Sequence, residues 1–191
     1  MVPVIYSIGH SNVAAEDFFA LLSSAGVRTL VDVRAFPASR RHPHFGREAL
    51  ERAAAERDIA YHWLPALGGR RHGASAASPH VAWEVAAFRN YADYADTADF
   101  AAALRELERL ARAAPTAFMC AEALWWQCHR RLIADHLVLA GWEVLHIAVG
   151  GRLTPHQLPD FARVVDGRIL YDRGATPALP LGAAPARRRR R

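Results

Sequence analysis

Thr116-Ala117-Phe118-Met119-Cys120-Ala121-Glu122, then Cys128-His129-Arg130-Arg131-Leu132-Ile133-Ala134-Asp135-His136-Leu137, decides the fold class. The first part is an apolar run that reads as a buried strand. The last part puts Leu132, Ile133, His136, Leu137 and Ala140 on one helix face, and Gly141 suits the position just past the helix end. A buried strand feeding an amphipathic helix through a short loop is the half-unit from which α/β sheets are built.

The same alternation continues outward. Val2 to Ile8 reads as a first strand ending in Gly9-His10-Ser11-Asn12, and Ala14 to Ala25 as a helix with Phe18, Leu21, Leu22 and Ala25 on its apolar face. Val27 to Val33 is a near-continuous apolar strand of the kind covered on both faces. A Pro/Arg/His-rich loop from Arg34 to Phe45 follows, then a helix over Gly46 to Arg57 and a strand over Ile59 to Leu64. Further on come a loop over 70–82, helices over 83–95 and 98–113, a strand at Trp142 to Val149 and a turn at Gly150-Gly151. Pro155 to Val164 reads as a short helix and Arg168 to Tyr171 as a last strand. The expectation is one α/β domain over 4–175: a mainly parallel sheet with helices on both faces, a three-layer sandwich.

The formal net charge of +5 equals the contribution of Arg187 to Arg191, so the body of the chain is neutral. Those arginines end a Pro/Ala-rich stretch, 176–191, that reads as a disordered tail able to contact nucleic acid weakly. All basic residues are arginine, which excludes a lysine Schiff base and a P-loop lysine. The apolar runs are too short to span a bilayer, so no membrane partner is expected. The N-terminus lacks a secretory pattern and there are only two cysteines, which together suggest free thiols in a reducing cytosol.

Ligands of parallel sheets bind beyond the C-terminal strand ends. Four polar segments fall there: His10-Ser11, Asp32 to Arg34, Gly68-Gly69-Arg70 and Cys120 to Glu122. Both cysteines, a carboxylate, an imidazole and a guanidinium lie within Cys120 to Arg130. No Ser, Thr, Asn or Asp occupies 120–131, so the helix that follows has no side-chain cap and its first N–H groups are free for a ligand or a thiolate.

Ser7-Ile8-Gly9-His10-Ser11, Leu30-Val31-Asp32-Val33-Arg34-Ala35-Phe36-Pro37, Leu67-Gly68-Gly69-Arg70 and Cys120-Ala121-Glu122 with Cys128-His129-Arg130 closely resemble domain-of-unknown-function family 488. Phe88 to Tyr94 and the strand ending in His146-Ile147 fit the same pattern, and the resemblance runs over about 4–172. It implies an architecture and candidate positions but no reaction. Leu30-Val31-Asp32-Val33-Arg34 also resembles, more weakly, the early strand of rhodanese-like domains. The loop after Cys120 is unlike their anion cradle: it lacks Gly and small polar residues, and Glu122 beside the thiol disfavours sulfur transfer and phosphatase chemistry.

The expectation is therefore a small cytosolic enzyme with a strand-end pocket for an anionic or nucleotide-like ligand. Cys120 is the expected nucleophile, with Glu122, His129 and His10 as proton carriers. Ser11, Asp32, Arg34, Arg40, Gly69, Arg70, Tyr91, Trp126, Cys128 and Arg130 are the expected binding residues. Arg34 and Arg130 hold negative charge in this reading, or else pair with Asp32 or Glu122 as structural ion pairs. A non-catalytic nucleotide or nucleic-acid module, with Tyr91, Tyr94, Trp125 and Trp126 stacking bases, is one alternative. A thiol redox or zinc domain is another. No cofactor is expected; the zinc reading takes Cys120, Cys128, His129 and His10 as ligands, although adjacent Cys128-His129 is not a familiar finger spacing.

Overall fold

The computed structural model describes residues 2–38, 41–71 and 77–174. Arg40 and the arginine tail, both named above, lie outside them.

Six strands form one sheet: β1 (Val4–Gly9), β2 (Thr29–Asp32), β3 (Ala60–Trp63), β4 (Thr116–Cys120), β5 (Glu143–Ile147) and β6 (Leu153–Pro155). Their order is β3-β2-β4-β1-β5-β6, all parallel except β6, which runs antiparallel to β5. Helices α1 (Ala15–Ser24) and α2 (Arg47–Ala55) follow β1 and β2. Helices α3 (Ala86–Ala95) and α4 (Ala98–Ala113) connect β3 to β4, and α5 (Arg130–Leu139) connects β4 to β5.

Chain direction explains which helix covers which face. From β1 through β2 to β3 the chain moves toward one sheet edge; from β3 through β4 to β5 it moves back. Crossovers of a single hand must then place helices on opposite faces. Accordingly Phe18, Phe19 and Leu22 of α1 and Leu50 and Ala54 of α2 pack with Ile8, Leu30, Ala117 and Met119. Tyr91, Phe100, Leu107, Ile133 and Leu137 pack on the other face with Ile5, Val31, Phe118 and Val144. Strand residues of alternate parity feed the two cores, as pleat geometry requires. Each fully buried Leu, Ile or Phe contributes about 1.5–3 kcal/mol. The three-layer α/β expectation matches this architecture.

The segment from Pro155 to Val164 is not a helix. Leu153–Pro155 pairs with β5, and β7 (Ala162–Val165) forms a separate hairpin with β8 (Arg168–Tyr171). The apolar positions Leu158, Phe161 and Val164 imitate helical spacing, but Pro159 lacks an N–H for an internal turn. His156 instead donates its backbone N–H to Val144 O at 2.8 Å, continuing the strand pairing past Pro155.

β1 and β4 are neighbours, yet their following connections leave in opposite directions. This is the topological switch point, where a crevice opens at the strand ends. The register pairs Gly9 with Cys120 there. The backbone is tightly drawn: His10 N–H donates to Cys120 O at 3.0 Å and Ser11 N–H to Ala121 O at 2.9 Å. A Cβ on Gly9 would stand 1.8 Å from Glu122 O, so only glycine admits this approach.

Candidate dithiol site

Cys120 ends β4, and Cys128 directly precedes His129, which stands at the N-cap of α5 with no side-chain cap. The turn between them folds back through a short 3₁₀ segment, Trp125–Gln127. It brings the two Sγ atoms within 2.8 Å of each other. Both thiols are free and buried, and both line a cavity of about 550 Å³ with Arg34, Gly69, Arg70 and Tyr91. Phe36, Val85 and Phe88 supply its apolar walls; sequence reading missed Val85 as a site residue and gave Phe36 and Phe88 no role, because an apolar residue at a loop or helix end carries no chemical signature.

Arg130 is the centre of the charge balance. It is 1 % exposed, and its Nε donates to Cys120 Sγ at 3.1 Å. Nη1 donates to Ser7 Oγ at 3.0 Å, and Nη2 to the backbone carbonyls of Glu122 and Ala123. Among the described residues it has no carboxylate partner, so the expected ion pair with Glu122 or Asp32 does not form. A buried guanidinium stays charged and needs a compensating anion. The thiol pair is the group placed to supply it.

The thiols respond unequally. Burial pushes Cys120 well up, and the adjoining Cys128 pushes it further. Burial also opposes ionisation of Cys128, but the hydrogen bond from Cys120 and the Arg130 charge outweigh it and lower Cys128 to about 7. Above about pH 7 the pair therefore shares one negative charge, with the remaining proton on Cys120 directed at Cys128. The start of α5 adds its N-terminal dipole to the same sulfur.

His129 Nδ1 lies 3.3 Å from Cys128 Sγ, and Nε2 lies 3.1 Å from Val33 O. Only a protonated Nε2 can bond a carbonyl, so the lone pair on Nδ1 accepts from Cys128 while that thiol holds its proton. Burial lowers His129 and keeps the imidazole neutral at pH 7. Its ring needs Gly69, where a Cβ would approach Nδ1 to 2.5 Å. Tyr91 packs against it and donates its hydroxyl to Leu67 O at 2.8 Å.

Asp32 and Arg34 pair with each other on the rim. Arg34 Nη2 is 2.5 Å from Asp32 Oδ2, which also accepts from the Tyr61 hydroxyl at 2.8 Å. Arg34 Nη1 donates to His10 Nε2 at 3.3 Å, and the other His10 nitrogen bonds Ser11 O at 2.8 Å. His10 stacks on Phe45, and burial lowers it to about 4. It faces a second cavity of about 540 Å³, lined also by Ser11 and Arg41, that shares Arg34, Phe36, Ala121 and Glu122 with the first. His10 is thus separate from the sulfurs. Glu122 touches them through its backbone, its N–H donating to Cys120 Sγ at 3.3 Å, while its side chain is exposed. Trp126 is 46 % exposed, whereas Trp125 stacks on His146 and Tyr91 is buried.

Cys120, Cys128 and His129 hold ligand atoms within 4.8 Å of one another, three of the four expected for zinc; the fourth, His10, is occupied by Arg34 and Ser11. Charge argues against a cation there. Two thiolates would neutralise a divalent ion and leave buried Arg130 uncompensated, whereas one thiolate without metal balances it.

The fold and these residues define a switch-point α/β domain with a buried, arginine-backed thiol pair. The sequence model of the family described as "Domain of unknown function DUF488" matches residues 14–137, and the chain belongs to that family. No curated protein and no solved structure matches it, so the likeness to rhodanese-like domains has no support beyond the quoted strand. No helix among the described residues is long and apolar enough to cross a membrane.

Proposed function

We propose that the protein is a cytosolic thiol enzyme that acts on a small anionic substrate carrying an electrophilic sulfur, with Cys128 as nucleophile and Cys120 as resolving thiol. One observation carries this reading: two buried thiols in contact beside a buried arginine that has no carboxylate. The Cys128 thiolate attacks a substrate disulfide, forming a mixed disulfide and expelling the other half as a thiolate. Cys120 then attacks Cys128 Sγ. This forms the Cys120–Cys128 disulfide and releases the second half, which takes the Cys120 proton. The substrate leaves reduced by two electrons, and the protein pair holds the oxidation until an external thiol reverses it. His129 Nδ1 accepts the Cys128 proton whenever that thiol starts protonated. The change of nucleophile from Cys120 to Cys128 follows from their unequal acidity. With Arg34 neutralised by Asp32, Arg41 and Arg70 still outnumber Glu122 around the two cavities, which favours an anionic substrate.

The test uses two probes of opposite charge, oxidised glutathione and cystamine, at pH 7. Mass spectrometry is expected to show a transient adduct on Cys128, then its release to leave the protein two hydrogen atoms lighter than the reduced form. The anionic probe is expected to react about tenfold faster at low salt. An adduct on Cys120, or none with either probe, overturns the reading. The buried Tyr91 and the stacked Trp125 leave Trp126 as the exposed member of the aromatic set proposed for base stacking, so the nucleic-acid alternative is the weaker one.

A further inference from the structure

Behind Arg130 lies a buried polar chain that this reaction does not use. The Tyr171 hydroxyl donates to Asp135 Oδ2 at 2.7 Å. His156 Nε2 lies 2.7 Å from Asp135 Oδ1, and His156 Nδ1 lies 2.9 Å from His146 Nε2. All four residues are buried, although they come from β8, α5, β5 and the segment after β6.

With both imidazoles neutral, proton accounting fixes their tautomers. The carboxylate accepts from both neighbours, so His156 donates from Nε2 and carries its lone pair on Nδ1. That lone pair must receive a proton from His146 Nε2. His146 Nδ1 is then an acceptor, and it is buried with no hydrogen-bond partner. Burial, His156 and Arg130 lower His146 to about 2, so the ring stays neutral. An unpaired acceptor in such a place calls for a donor.

Ser7 is that donor's natural source. It is the register partner of His146 across the parallel β1–β5 pair and projects from the same face. Ser7 Oγ already accepts from Arg130 Nη1, so its own hydrogen is left to give. We propose that one water bridges the Ser7 hydroxyl to His146 Nδ1, and that His146 is thereby a positioning residue that holds Arg130 against the thiol pair. The chain then runs unbroken from Cys120 through Arg130, Ser7, His146 and His156 to Asp135 and Tyr171. His146 also supports the reactive loop through its ring face, on which Trp125 lies at 4.1 Å with planes 3° apart. Among the described residues the other ionisable groups facing Arg130 and the sulfurs are His129 and Tyr91, with Arg71 acting on both of these.

The effect on the thiols rests on the dithiol reading; the tautomer does not. His146→Phe keeps a stacking face and loses both nitrogens, whereas His146→Asn returns an acceptor near the place of Nδ1. Thiolate absorbance titrations of the full chain are expected to show a rise of about one pH unit in the first thiol midpoint for His146→Phe, with more than half recovered in His146→Asn. Ser7→Ala should reproduce the rise with the His146–Trp125 stack intact. Nitrogen-15 spectra of the wild-type histidines should show His146 as the Nε2–H tautomer with Nδ1 accepting a hydrogen bond, a readout that needs no variant to fold. A wild-type midpoint near the ordinary 9 overturns the dithiol reading. A lowered wild-type midpoint that Ser7→Ala and His146→Phe leave unmoved, or a His146 ring protonated on Nδ1 at pH 7, overturns the positioning role.

Discussion

Cys128→Ser is expected to slow alkylation by iodoacetamide at pH 7 more than tenfold, and to move the midpoint of the rate–pH curve from about 7 to well above it. The thiolate is the reacting species, so at pH 7 about half of Cys128 is active in the wild type. Burial suppresses ionisation of the Cys120 thiol that remains in the variant. Each unit of pKa rise removes about tenfold of the thiolate and returns about threefold in nucleophilicity, so the net loss grows with the gap. Cys120→Ala should behave differently. It leaves the reactive sulfur but removes the hydrogen bond that lowers it, so the midpoint should rise while alkylation stays on Cys128. Peptide mapping of the alkylated protein against pH makes the comparison. Equal rates in the wild type and Cys128→Ser would leave the pair as inert core.

Stability is expected to fall by at least about 4 kcal/mol between pH 7.5 and pH 5. His10 is lowered to about 4 and His146 to about 2, both chiefly by burial. Below the ordinary 6.5 the unfolded chain binds a proton at each of these rings and the folded chain does not. Protons therefore favour the unfolded state, and stability falls as the medium becomes acid. At pH 5 each ring contributes about 2 kcal/mol to the loss, from about 1.4 kcal/mol per pH unit below 6.5. The His10 contribution is complete near pH 4, and that of His146 continues downward. A loss of this size is a large part of a typical folding free energy of about 5–15 kcal/mol. Urea unfolding at the two pH values measures it, and His10→Gln should remove about 2 kcal/mol of the loss, to which His129 and His136, also lowered by burial, add in the same direction. A flat or rising stability below pH 6.5 would show that these rings take up protons in the folded state.

The sequence disclosed the layers because the buried strands are short apolar runs separated by helix-length amphipathic segments, a pattern with few three-dimensional solutions. It disclosed the place of the site for the same reason: Gly9-His10, Asp32 to Arg34 and Cys120 each follow such a run. What it hid were relations across the sheet. Ser7 looked like an ordinary strand residue, and only the β1–β5 register sets it opposite His146 and beneath Arg130. Asp135, His156 and Tyr171 are separated by tens of residues and share no motif, so nothing local announces their contact. For Arg130 the sequence offers an anion clamp or, as the alternative, an ion pair with Glu122 or Asp32. The start of α5 aims it into the sheet instead, where it meets sulfur, hydroxyl and carbonyl. The segment after β6 was misread because three apolar residues at helical spacing outweighed two prolines in the pattern.

The isolation of Arg130 also biases the redox poise of the pair. Joining Cys120 to Cys128 in a disulfide would erase the single negative charge that answers this guanidinium, leaving only neutral acceptors around it. The oxidised protein would then carry an uncompensated charge in its interior, and the reduced protein would not. That difference makes the bridge a ready electron acceptor, as any stabilised thiolate makes its disulfide more oxidising, so an external thiol regenerates the pair easily and a substrate disulfide must be in excess to form the bridge. Titration in a glutathione buffer reads the bias directly. On this balance the cation acts as a spring: it lets the cysteines meet, but pushes them back toward the separate, charged state.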